Sequence, residues 1–91
     1  AGIKVALMTD HPVIPIEYLS LCAALAVKEG MSETDALKAV TINPAEILGV
    51  SERVGSIVPG KDADLLILSG SILDVRSRVE MVLVNGNLVW Q

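Results

Sequence analysis

The chain has 91 residues, enough for one small domain and too few for two. It is 52% hydrophobic with one Tyr, one Trp and no Phe, so any core is built from aliphatic side chains and Met. The net charge of −4 excludes the basic face that nucleic-acid binding needs, and one cysteine excludes an internal disulfide and points to a reducing, cytoplasmic setting.

Taken in chain order, Ile3 to Met8 reads as an apolar strand with little alternation, of the kind buried on both faces in parallel sheets. It ends in Asp10 and His11, at the position where barrel and open α/β enzymes present catalytic groups. Asp10 is the candidate catalytic residue and metal ligand: a carboxylate there can bind a divalent ion or accept a proton from a bound water. The competing reading is a loop-capping aspartate. His11 alternates away from Asp10 in an extended chain, which makes it a substrate-facing candidate rather than a co-ligand, against a plain loop histidine. Pro12 and Pro15 hold His11 and Ile14 out of helix and stiffen the loop.

A helix is expected from Ile16 to Glu29, apolar over most of its circumference, with Gly30 as its stop. Cys22 lies inside it with no neighbouring base and reads as a small hydrophobe. The longest apolar run, Leu19 to Val27, is too short for a membrane span, and no signal peptide is read. Ser32 to Asp35 has the form of a capping box, opening a helix with Ala36, Leu37 and Val40 on one face. Asn43 and Pro44 then fit an N-cap and first helical residue, starting a short turn that ends at Gly49.

Beyond Gly49 the period changes. Val58 to Lys61 fits a type II turn. Gly60-Lys61 lacks the earlier glycines of a phosphate loop, Ser56 has no histidine nearby, and Asp62 with Asp64 are too few for a metal site. Leu65 to Leu68 is an apolar strand, and Val79 to Val84 and Leu88 to Trp90 are strands joined by an Asn85-Gly86 hairpin turn. The seam falls near Gly49, dividing the chain into residues 1–49, mainly helical, and 50–91, mainly sheet.

Three segments together resemble the C-terminal part of the metal-dependent amidohydrolase superfamily, in its imidazolonepropionase-like and cyclic-amidohydrolase branch. They are Met8-Thr9-Asp10-His11-Pro12, then Ala36 through Thr41-Ile42-Asn43-Pro44-Ala45, then Gly55-Ser56-Ile57-Val58-Pro59-Gly60-Lys61-Asp62-Ala63-Asp64-Leu65. The third is the most specific, and the likeness covers nearly the whole chain. It implies an α+β fragment: residues 1–49 as the last strand and closing helices of a (β/α)8 TIM barrel, residues 50–91 as the C-terminal strands of a small β-sandwich. It further implies a hydrolase of carbon–nitrogen bonds, with cyclic amides or amidines as small-molecule substrates and a divalent metal (zinc, iron or manganese) as cofactor. Asp10 matches the acid that ends the eighth strand, which contacts the metal or its water and carries a proton from nucleophile to leaving nitrogen. The family's His-x-His on the first strand and its later ligands have no counterpart in these 91 residues. One carboxylate does not hold a catalytic zinc, so the chain alone is expected to bind no metal and to be inactive. Its expected partners are the N-terminal part of the same enzyme and, through the exposed edge of Ile3–Met8, further copies of itself. The alternative from another class is a non-catalytic module that oligomerises or binds a partner through its apolar surface.

Overall fold

Ser32 starts a helix because its hydroxyl takes the backbone N–H of Asp35 at 3.1 Å, as the capping-box spacing predicts. This and all other features below come from a computed structural model, which describes residues 4–10 and 18–91. Three helices come first, α1 (Leu19–Lys28), α2 (Glu33–Ala39) and α3 (Ile42–Ile47); then three strands, β1 (Leu65–Leu68), β2 (Val79–Val84) and β3 (Asn87–Trp90). No helix among the described residues is long and apolar enough to cross a membrane.

The helices stop where their backbone carbonyls find partners. At the end of α1, Gly30 N–H donates to Val27 and Met31 N–H to Ala26; at the end of α3, Gly49 donates to Glu46 and Val50 to Ala45. Both are the paired 5→2 and 6→1 bonds of a Schellman ending. Between α2 and α3, the Thr41 hydroxyl donates to the Leu37 carbonyl and ties the corner.

α1 packs on α2 and α2 on α3. Among the described residues the fully enclosed positions are all alanines: Ala23, Ala36 and Ala39 are sealed from solvent, and Ala45 is nearly so. Small side chains let the helix backbones approach closely, but they bury little apolar area. Leu37 does not join this face. It is 39% exposed, so the inward face of α2 is Ala36 and Ala39, with Val40 half-buried. No large side chain is fully buried among the described residues.

The strands form one antiparallel sheet in the order β1-β2-β3. Leu65 faces Leu83 and Ile67 faces Met81, after which the register slips so that Leu68 faces Val79. β2 and β3 join through Asn85 and Gly86, both at positive φ (52° and 77°), which is the type I′ geometry that matches strand twist. Asp64 accepts from Asn85 N–H at 2.9 Å, and Ala63 accepts from Gly86 N–H at the same distance, so the turn is locked to the approach of β1. The type II turn is present too: Lys61 N–H donates to Val58, with Gly60 at φ +95°.

Two expectations need correction here. Lys4 to Met8 is extended but pairs with no strand among the described residues; its hydrogen bonds go to the helices instead. Nor is it buried on both faces, since Met8 is 74% exposed. A parallel strand needs a neighbouring strand on its edge, and the described part of the chain supplies helix ends there. Asn43 is likewise not an N-cap. Thr41 holds that position, and Asn43 and Pro44 lie inside α3, where the missing proline N–H falls among the first-turn donors that have no helical partner anyway. Ile3, His11 with its proline-stiffened loop, and the start of the first helix at Ile16 and Glu17 lie outside the described residues.

Candidate functional site

The site is built on the extended segment from Lys4 to Asp10. Val5 offers its carbonyl to the Asn43 side-chain amide at 2.8 Å. Leu7 donates its N–H to the Ala39 carbonyl at 2.9 Å. In an extended chain the C=O of one residue and the N–H two residues on lie along the same edge. That edge is therefore clamped to the corner between α2 and α3. Lys4 adds a 3.3 Å ion pair to Glu46 on α3, half-exposed and worth little by itself.

Alternation then decides which side chains turn inward. Leu7 is half-buried and Thr9 is 7% exposed, whereas Met8 and Asp10 are open. Thr9 is the one polar residue buried among the described ones. Immediately after it the backbone turns sharply, with Asp10 at φ +52°. Left-handed backbone is disfavoured for most L-residues and tolerated by Asp and Asn. The segment thus ends by presenting an accessible carboxylate on a fixed stem.

The other acidic candidates are engaged by their own chain. Asp62 pairs with Arg53 at 2.9 Å, while its backbone N–H donates to the Arg53 carbonyl at 2.7 Å. Asp64 holds the hairpin turn. Lys61 donates to Ser56 at 2.6 Å, which braces the loop before β1. These contacts make the Gly55–Asp64 stretch structural. Cys22 is a half-buried free thiol on α1. A groove of ≈ 940 Å³ lies between α2, α3 and β1, lined mainly by aliphatic side chains such as Leu37, Val40, Leu48 and Leu66; Asp10 is not among its walls. Its lining suits packing rather than bond chemistry.

A divalent metal needs about three protein ligands. Among the described residues no group of three or more His, Cys, Asp or Glu side chains is placed to hold one. Asp10 stands as a single carboxylate, so the described residues do not fit a metal on their own, and His11 lies outside them.

One residue that holds the segment was not legible as such. Asn43 reads as a local helix cap, but its amide reaches a backbone carbonyl 38 residues away. The only hint in sequence is Pro44, which already satisfies the start of the helix and leaves the Asn43 side chain free for other use.

Comparison with known proteins agrees with this architecture. The model of the amidohydrolase family matches residues 1–89. An imidazolonepropionase from Thermoplasma acidophilum is 36% identical over 97 residues, covering 98% of this chain and 24% of its own length. An adenine deaminase from Moorella thermoacetica is 36% identical over 81 residues, covering 87% of this chain and 13% of its own. The crystal structure of an amidohydrolase from Thermotoga maritima superposes with a TM-score of 0.95 at 51% identity, over 99% of this chain and 24% of that one. The chain therefore spans a quarter or less of each of these proteins. With a family match running over almost its full length, the chain belongs to the amidohydrolase family.

Proposed function

We propose that the chain is the C-terminal part of a metal-dependent hydrolase of carbon–nitrogen bonds, with Asp10 as its proton carrier. In the longer protein residues 1–49 supply the closing helices and the last barrel strand, which Lys4–Met8 completes beside neighbouring strands from the rest of that protein, and residues 50–91 the C-terminal part of a small sandwich. The observation that carries the reading is the accessible Asp10 carboxylate at the end of a clamped, extended segment. In this reaction Asp10 takes a proton from the attacking water as its oxygen bonds to the amide or amidine carbon. The C–N bond then breaks, and Asp10 delivers that proton to the departing nitrogen. A divalent metal (zinc, iron or manganese), held chiefly by ligands from other parts of the longer protein, would supply Lewis-acid activation of the water. His11 contacts substrate in this reading. The relatives named for adenine and imidazolonepropionate define the first substrates to try.

The test is Asp10→Asn in the full-length protein, assayed on cyclic amides and on adenine. Loss of general-base chemistry costs ~10²–10⁴-fold, and the unfolding midpoint should stay unchanged. Normal turnover by the variant overturns the assignment.

A second reading, a non-catalytic module that self-associates, starts from the exposed surface that both readings must cover. The chain exposes 6721 Å², against about 5,100 Å² for a folded monomer of this mass. The excess of roughly 1,600 Å² is about twice what one partner contributes to an ordinary stable interface. The rest of the same protein covers this surface in the first reading, and a second copy covers it in the other. Sedimentation of the 91-residue chain separates them: dimers that hydrolyse nothing, even when mixed with the remaining part, favour the module.

A further inference from the structure

We propose that Asn43 is a positioning residue for Asp10, an inference that rests on the role given to Asp10 above. The Asn43 amide and the Ala39 carbonyl hold Val5 and Leu7 at 2.8 and 2.9 Å along one edge of the same extended segment. Thr9, the next residue in that alternation, is buried. Asp10 follows directly, at positive φ. The stem is thus held at three successive odd positions, and the exposed Asp10 follows the last of them. Without the Asn43 bond the stem keeps only the Leu7 bond and the burial of Thr9, and the placement of the residue that follows them, Asp10, is less tightly fixed. Displacing a reacting group by about 1 Å can cost ~10²-fold in rate.

Of the two edge bonds, the one from Leu7 joins backbone to backbone and does not depend on the identity of either side chain, proline at Leu7 excepted. The bond from Asn43 depends on a side chain, which makes it the point where sequence controls the stem. An amide is needed there because the partner is a carbonyl oxygen. Carboxylate, the nearest isostere, would set oxygen against oxygen.

The experiment is a double-mutant cycle in the full-length protein with its metal. Asn43→Ala and Asn43→Asp are each made alone and in the Asp10→Asn background. Either substitution alone should lower kcat by ~10-fold or more, with KM within about twofold because binding groups elsewhere are untouched. In the Asp10→Asn background, whose residual rate is measured at high enzyme concentration, the same substitutions should cost nothing further. Full kcat in both single variants overturns the proposal. So does an equal loss in both backgrounds, which would mean Asn43 acts elsewhere. Asn43→Asp preserves side-chain volume should Asn43→Ala misfold; failure of both to fold assigns Asn43 a purely structural role and also overturns it. Full turnover by Asp10→Asn alone removes the role of Asp10, a result distinct from each of these.

Discussion

Gly55 lies against Ala45 so closely that a Cβ on the glycine would sit 2.8 Å from the alanine methyl. The same atom would be 3.1 Å from the Ile42 Cα, and the backbone is at φ +103°. The loop that leads toward the sheet is thereby seated on the helix that carries Asn43. Two independent penalties meet at this position, steric overlap with helix backbone and a conformation L side chains rarely adopt.

Gly55→Ala should therefore destabilise the protein by about 2–4 kcal/mol, combining overpacking with backbone strain. Urea unfolding monitored at Trp90 reads the shift in midpoint. A loss below 0.5 kcal/mol would show that the loop does not dock on α3 in solution.

The Asp64 carboxylate and the Asn85 backbone are joined across 21 residues. Replacing Asp64 by Ala removes the acceptor and should cost about 1.5 kcal/mol, the low end of the range for a hydrogen bond to a charged group because Asp64 is exposed. Asp64→Asn keeps an acceptor oxygen and should recover more than half of that. Equal loss in both variants would indicate that charge, rather than the bond to Asn85, is what matters.

What could be read from sequence, and what could not, follows the distance over which each contact acts. Ser32 with Asp35, Val58 with Lys61, and Asn85-Gly86 are bonds or turns closed within four residues, and each is found as its residue types predict. Asp10 stands out in sequence because a carboxylate after an apolar run is a local pattern, and the structure leaves it exposed. Asn43 does not, since its partner is set by how the α2–α3 corner folds back on Val5. The apolar runs misled in one respect. Leu66 and Ile67 in β1 remain 53% and 44% exposed, because hydrophobicity in sequence states a demand for burial without naming the surface that meets it. The same holds for Leu37, whose helical face was right in period and wrong in neighbour.

Asp10 should tolerate Asn far better than Ala. The left-handed backbone at φ +52° suits Asp, Asn and Gly. Asp10→Ala carries a penalty of about 1 kcal/mol there and a β-branched Val more. The expected order of unfolding midpoints is Gly and Asn near the parent, then Ala, then Val. An Asn variant as unstable as Ala would mean the carboxylate itself holds the turn, and activity loss in that variant would no longer report proton transfer alone.

Asp74 and Arg76 form a two-pronged pair within one exposed turn, with the Arg76 guanidinium 2.9 Å from Oδ2 and its Nε 3.1 Å from Oδ1. The Arg76 backbone N–H donates to the same carboxylate. The side-chain bonds first, and the backbone bond after them, hold the Asp74 carboxyl below the usual carboxylate range and raise Arg76. A depressed folded-state value means the pair supports the turn fully above the ordinary carboxylate range and loses that support as the pH falls through the lowered value. Carboxyl NMR should show Asp74 titrating below the usual carboxylate range, and Arg76→Ala should raise it. Solvent and salt screen so open a pair, so 1 M salt should shrink the shift while leaving global unfolding unmoved. Titration of Asp74 within the usual carboxylate range in the parent protein would show that the turn from Ser71 to Ser77 is not closed by this pair.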